Sequence, residues 1–246
     1  MSKVHGIVYA YHSSPRLGDL TRYRTNASLP FCGRYRLIDF ALSSLSNAGV
    51  HSVGVIMQRD YQSLLDHLGS GKAWDLSRRS GGLHLLPPFG VNTRGDYTGT
   101  AEALNAVISY VRSIPESEIV LMPADIVCNL DLAAAIAQHD ASGCGITAIC
   151  RGGAVTGEHH RYLTDAHGRV TKLITSAAAG RTRLTPAASF QWMENMIASA
   201  PNMKITVQTA SITCQDTSDE MRSVSLITRE WMYPTLFRLK NENDSV

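Results

Sequence analysis

Apolar positions along this chain recur with two periods, and the switches between them mark its elements. Residues 4 to 11 form a short run rich in β-formers and predict a first, buried strand. Leu37, Ile38, Leu42 and Leu45 lie at helical spacing, so a helix is expected from about Arg36 to Asn47, with Asn47 and Gly49 as its stop. Residues 50 to 57 predict a second strand, and residues 61 to 68 a short helix closed by Gly69. Residues 69 to 95 make a long excursion containing Gly and Pro, with one short strand at 83 to 86. Loops of that length inside a compact domain are usually binding loops. Thr98 or Thr100 caps a helix reaching about Arg112, with Glu102 in its first turn. Residues 118 to 124 give a third core strand with Asp125 at its C-terminal end, 132 to 139 a helix, and 145 to 151 a fourth strand.

Strands alternating with helices imply parallel βαβ units, hence an α/β fold with a doubly wound, mostly parallel sheet. Ligands of such sheets sit in the crevice beyond the carboxyl ends of the strands. The loop after the first strand, Gln58 after the second and Asp125 after the third are therefore expected to converge. Past Arg151 the texture changes. Residues 162 to 174 hold the turn DAHGR between two alternating runs and read as a β-hairpin. Residues 176 to 187 read as loop, 204 to 211 and 223 to 228 as further strands. The expectation is one domain over residues 1 to 235 and a frayed, charged tail over 236 to 246, with no internal repeat.

Composition narrows the function classes. Of 246 residues, 44% are hydrophobic and 18% charged, ordinary for a globular protein that buries a substantial core. A formal net charge of +2 supplies no bulk drive toward nucleic acid or membrane. Five cysteines, an odd number without CxxC spacing, argue against a disulfide framework or a structural zinc site. No run approaches the roughly 18–20 apolar residues of a membrane span, and the N-terminus lacks signal-peptide layout, so a cytoplasmic location is expected. Arg16, Arg22, Arg24, Arg34 and Arg36 crowd one region, which fits a site for a phosphorylated small molecule. On composition alone, a solvated face with ion pairs explains them better.

The densest chemistry lies in LPFCGRYRLIDFALSSLSNAG, residues 29–49, where Gly33 allows a tight loop beside Arg34 and Arg36 and the loop suits an anion. This segment, GSGKAWDLSRRSGGLHLLPPF (69–89) and DYTGTAEAL (96–104) stand in one order. Together they resemble the ADP-glucose pyrophosphorylase family, the glucose-1-phosphate adenylyltransferases of bacterial glycogen synthesis. The resemblance covers about the first half of the chain, thins after Asp131 and is poor beyond Thr175. It implies the nucleotide-diphospho-sugar transferase (Rossmann-like) fold and nucleotidyl transfer. In that reaction the phosphate of glucose 1-phosphate attacks the α-phosphate of ATP and pyrophosphate leaves, giving ADP-glucose. Cations, aligned N–H groups and Mg²⁺ held by carboxylates serve the developing charge. The family also assembles as oligomers.

Against that resemblance the chain departs at several positions. The family's Gly-rich loop is replaced by AYHSSPRLGDLT, residues 10–21. Arg16 and Leu17 match, but Tyr11, His12 and Ser14 stand where glycines close on a triphosphate, and Pro15 has no N–H to donate. Asn26 occupies the position of the family's lysine, and losing such a cation costs on the order of 10²–10³ in rate. Asp125 in VLMPADIVCNLD matches the family's Mg²⁺ carboxylate, with a turn or N-cap role as the alternative. No second metal aspartate is found in matching context; Asp216 and Asp219 are nearest in order. SAAAG (176–180) replaces the sugar-phosphate Glu-Lys-Pro triplet.

The nucleobase end is better kept. Gln58 offers a donor and an acceptor for an adenine edge, Tyr97 a stacking ring, and Gly99, Thr100 and Ala101 a small-residue helix start. A plain helix cap explains TGTA equally well without the resemblance. Arg24, Arg34 and Arg36 are candidates for a phosphate or effector. Trp74, Asp75, Arg78 and Arg79 read either as loop anchors or as an effector or subunit surface. No hexapeptide pattern of the family's C-terminal β-helix domain is found. The resemblance with its departures implies a shortened, regulatory-type subunit that binds ATP or ADP-glucose weakly and modulates a catalytic pyrophosphorylase subunit. The alternatives are a working adenylyltransferase using Arg16, Asp125 and Arg24, and a non-enzymatic interaction protein on the same fold.

Overall fold

The structure is a computed structural model that describes residues 4–88, 97, 100–151, 160–164, 166, 170–175, 205–210 and 224–228. In chain order its strands are β1 (Val4–Tyr9), β2 (Pro30–Phe31), β3 (Tyr35–Arg36), β4 (Ser52–Ile56), β5 (Gly82–Leu86), β6 (Glu118–Pro123), β7 (Ile146–Arg151), β8 (His160–Thr164), β9 (Val170–Thr175), β10 (Ile205–Ala210) and β11 (Val224–Thr228). The helices are α1 (Leu37–Asn47), α2 (Gln62–Leu68), α3 (Thr100–Ala106), α4 (Ile108–Ser113) and α5 (Leu132–Ser142).

Among the described residues one seven-stranded sheet carries the order β10-β7-β11-β6-β1-β4-β5. All its pairings are parallel except those of β11, which runs antiparallel between β6 and β7. The expected mostly parallel α/β sheet is therefore present. Side-chain alternation loads both faces. Val4, Val8, Val53, Val55, Val120 and Met122 meet Ile38, Leu42, Leu45, Leu64 and Ala135 from α1, α2 and α5. Ile7, Tyr9, Ile56, Ile119 and Leu121 face the other way and meet Ala103, Leu104, Val107 and Val111 from the α3–α4 segment. No helix among the described residues is long and apolar enough to cross a membrane.

Boundaries shift where local geometry intervenes. The single helix expected up to Arg112 is two, broken at Val107, whose φ/ψ of −108°/23° is not helical. The short strand at 83 to 86 is not isolated in a loop: β5 pairs β4 along its length. The expected 162–174 hairpin is the β8–β9 pair. Part of the tight loop in residues 29–36 is a small antiparallel hairpin, β2–β3.

Two glycines set the sheet's fine packing. A Cβ on Gly54 would lie 2.7 Å from Tyr110 Cε1, so the bare backbone of β4 makes room for that ring. Gly82, at φ +91°, would place a Cβ 2.7 Å from the Leu76 carbonyl oxygen, and it lets the chain turn tightly into β5. Tyr110 then donates or accepts at 3.0 Å with His5 Nε2, beneath the sheet.

The strand ends define the crevice. Tyr9 stands beside Ile56 and Pro123, and Ile56 beside Leu86, so β1, β4, β5 and β6 finish level. Backbone bonds continue one residue further, with Ala10 N–H to Ile56 C=O at 2.8 Å and Ala124 N–H to Tyr9 C=O at 3.0 Å. From β1 the chain builds outward through β4 and β5, then crosses back to β6 on the opposite side. That reversal is the topological switch point at which such sheets hold ligands.

Candidate functional site

The site is built from what leaves β1 and β6 at the switch point. After Ala10 the chain places Tyr11 almost wholly out of solvent. Its ring stacks on His12 (centroids 4.6 Å apart, 27° between planes) and meets Tyr97 edge-on at 5.4 Å. Tyr97, the expected base-stacking residue, thus joins the loop after β1. Burial raises its phenol pKa, with a further push from Glu102. Residues 15–21 wind into short 3-10 turns rather than an open phosphate cradle. Thr21 ties them, its hydroxyl donating to Ser14 C=O at 3.1 Å. The Arg16 side chain lies outside the described residues.

Asn26 opens the next turn and is 3% exposed. Its amide has work at both ends. Nδ2 donates to Asp125 Oδ2 at 3.0 Å, and Oδ1 accepts the Ser14 N–H at 3.0 Å. Its own N–H donates to His12 C=O at 2.8 Å. One neutral side chain therefore joins the loop after β1 to the carboxylate after β6. Sequence reasoning singled out Asn26 and Asp125 separately and missed the bond between them. The 99 residues separating the two leave no local signal for it.

Gln58, two residues beyond β4, is buried at the same edge of the sheet. Thr100 and Ala101 open α3, but their side chains, like Gly99, lie outside the described residues. The arginines disperse. Arg24 is partly buried, whereas Arg34 is exposed in the β2–β3 turn. Arg36 points toward α2, its Nη1 donating to the Ser63 carbonyl and, at 2.8 Å, to the Ser63 hydroxyl. Its backbone N–H meets Asp39 Oδ2 at 3.0 Å, and Asp39 Oδ1 lies 2.5 Å from His67 Nε2, which locks the start of α1 onto α2.

Trp74 and Asp75 lie in the segment that enters β5 at its N-terminal end, the end away from the crevice. Trp74 is buried, its carbonyl accepts the Ser46 hydroxyl at 2.8 Å, and Asp75 pairs with Arg78. Of the two readings of this segment, the anchor describes Trp74. Arg79 is exposed.

Among the described residues no group of three or more His, Cys, Asp or Glu is placed to hold a metal ion. One oxygen of the candidate carboxylate, Asp125 Oδ2, already accepts the Asn26 amide. A lone carboxylate so engaged does not make a protein-held Mg²⁺ site, since that ion wants near-octahedral oxygen ligation. The described residues do not fit the ion.

A second cluster sits beneath the sheet, away from the crevice. His5 Nδ1 lies 3.5 Å from Glu116 Oε2, an arrangement favouring the imidazolium. Burial, with a smaller push from His84, outweighs it and lowers the His5 pKa from 6.5 to about 3. Burial first, then Glu116, raises the Tyr110 phenol pKa. The two rings form a neutral, hydrogen-bonded pair.

Comparison with known proteins agrees with this fold. The family described as nucleotidyl transferase matches residues 6–173. A glucose-1-phosphate adenylyltransferase of Thermomicrobium roseum is 40% identical over 141 residues, 56% of this chain and 33% of that protein. The glycogen biosynthesis protein GlgD of Geobacillus stearothermophilus is 38% identical over 149 residues, 60% of this chain and 43% of that protein. A glucose-1-phosphate adenylyltransferase of Fervidobacterium nodosum is 33% identical over 174 residues, 69% of this chain and 42% of that protein. The chain thus spans less than half the length of these relatives.

Proposed function

Because the chain belongs to the nucleotidyl transferase family, we propose that it serves ADP-glucose synthesis as a cytoplasmic subunit that modulates a catalytic partner and has weak or no turnover of its own. The observation that carries this reading is the Asn26 bridge. Nucleotidyl transfer brings two anions together, and its transition state needs fixed positive charge and free N–H donors at the phosphates. In this chain the residue facing Asp125 is a neutral amide, and the Ser14 N–H, a donor of the loop after β1, turns to that amide. Tyr11 and His12 fill the loop with stacked rings where a close backbone approach would serve a triphosphate. Among the described residues the crevice keeps its position at the switch point and presents a neutral amide to Asp125.

Nucleotide recognition in this proposal falls to Gln58, Tyr97, Gly99, Thr100 and Ala101 around the base, with ATP or ADP-glucose as the ligand. Arg24 and Arg34 stand as candidates for a phosphate group or effector. The Ser63 contact of Arg36 gives that side chain a structural task.

A second reading is a working adenylyltransferase, favoured by the names of the relatives from Thermomicrobium roseum and Fervidobacterium nodosum and by the retention of Asp125 at the crevice. Turnover of the chain by itself with ATP, Mg²⁺ and glucose 1-phosphate separates the two. The regulatory reading expects ADP-glucose formation at background, and a changed rate or effector response when a catalytic subunit is added. Absence of both a complex and any rate change ends it. Robust turnover by the chain itself, lost in Asp125→Asn, establishes the second reading. A melting temperature indifferent to every nucleotide would favour the non-enzymatic alternative.

A further inference from the structure

Among the described residues, the exposed large hydrophobics are Leu20 (62%), Tyr23 (71%), Phe31 (36%) and Tyr35 (51%), and all four fall within residues 20 to 35. Two of them are organised. Phe31 and Tyr35 are directly paired across the β2–β3 hairpin, so their rings project to the same side. Both pack on Phe40, one turn into α1, with centroids at 5.2 and 6.4 Å. The result is a three-ring cluster on the outside of the molecule, rooted on a helix and carried by a turn that also exposes Arg34.

Along the stretch that carries it, residues 20 to 38, the charge has one sign. Arg22 lies over the Tyr23 ring at 5.2 Å, Arg24 and Arg34 follow it along the chain, and Arg36 turns to Ser63 of α2. No Asp or Glu occurs between residues 20 and 38. The next acid along the chain, Asp39, is buried and engaged by the Arg36 N–H and His67. Rings with arginines beside them are the composition of interface centres, and a basic rim selects a partner of opposite sign. A small anion would use the guanidinium groups and leave the rings in water. Phe31 and Tyr35 commit ring surface to Phe40, which makes a contiguous apolar patch suited to another apolar surface more than to an inserted base.

We infer that the Phe31–Tyr35–Phe40 face of the hairpin, with Arg34, is the surface on which this chain docks a protein partner presenting carboxylates around an apolar centre. This rests on the regulatory-subunit reading above, and the partner is then the catalytic subunit.

The test is surface plasmon resonance of the full chain against the glucose-1-phosphate adenylyltransferase subunit from the same organism, at 50 and 300 mM salt. Phe31→Ser and Tyr35→Ser are each expected to weaken binding about 10- to 100-fold, in keeping with loss of an interface anchor. Arg34→Glu should weaken it further at low salt than at high salt. Lys72→Ala, in the segment leading into β5, should bind as the parent does. Melting curves of each variant verify folding; Tyr35 is half exposed, so its replacement leaves the core intact. Complex formation with unchanged affinity in both aromatic variants overturns the surface and leaves the regulatory reading standing. Absence of any complex overturns both. Displacement of the partner by inorganic phosphate, with Tyr35→Ser without effect, would show an anion site instead. Retention of a homopolymeric RNA that Tyr35→Ser abolishes would show a nucleic-acid surface instead.

Discussion

Replacing Asn26 with alanine deletes both ends of the bridge at the switch point and spares its backbone bond to His12. The bond to the Asp125 carboxylate belongs to the class contributing roughly 1.5–3 kcal/mol, and the bond from the Ser14 N–H to the class contributing about 0.5–1.5 kcal/mol. Their sum runs from about 2 to about 4.5 kcal/mol. Asp125 is partly buried as a residue, but its Oδ1 is out of solvent, so water offsets little of the loss and the whole range, about 2 to 4.5 kcal/mol, is expected. For a chain of this size that lowers the melting temperature by about 4–18 °C. Urea unfolding of Asn26→Ala, Asp125→Ala and the double variant closes a cycle that isolates the pair. The two single losses should exceed the loss in the double variant by ~1–2 kcal/mol. Asn26→Asp should cost more than Asn26→Ala, since it sets two carboxylates against each other. A coupling within about 0.3–0.5 kcal/mol, the margin for independent sites, would refute the bridge and with it the account of a crevice closed by a neutral amide.

Acid titration addresses the cluster beneath the sheet. His5 in the unfolded chain takes a proton near 6.5 and in the fold only near 3, so the unfolded state binds more protons between those values. Its contribution to stability is complete above pH 6.5 and declines as pH falls toward 3; His5→Gln, which keeps an acceptor for Tyr110, should flatten the urea midpoint over that range. His139 is shifted downward too, by burial against an opposing push from Asp140, and adds to the same decline. A midpoint profile unchanged in His5→Gln would contradict the neutral buried pair. The two glycines make a graded test: Gly54→Ala pushes on the Tyr110 side chain, costing ~1–3 kcal/mol, while Gly82→Ala meets a backbone carbonyl at positive φ and should cost more. Thermal melts of the two variants in the reverse order would show that the ring is the less yielding neighbour.

Much of the fold was legible because its signals are local. The β-rich run at 4 to 11, the helical spacing of Leu37, Ile38, Leu42 and Leu45, and the runs before Gln58 and Asp125 each predict an element within a residue or two of the observed one. β5 was read correctly as a strand from four residues, yet its membership in the main sheet depends on β4, some 30 positions earlier in register. The hairpin β2–β3 escaped notice because two-residue strands leave no periodicity to read. The break at Val107 escaped too, since Val107 sits on the apolar stripe of an otherwise helical pattern.

Sequence by itself determined the alternation of strands and helices, the mostly parallel sheet, and the presence of Tyr11, His12 and Asn26, side chains other than glycine and lysine, in the loop after the first strand and just beyond it. Those are properties of neighbouring residues, or of residue type alone. Only the tertiary structure decided that β11 runs backwards between β6 and β7, that Arg36 serves α2 while Arg34 faces solvent, and that Asn26 holds Asp125. Each of these joins residues far apart along the chain, and the pairing of distant partners is set by how the sheet closes and packs, which no local pattern encodes.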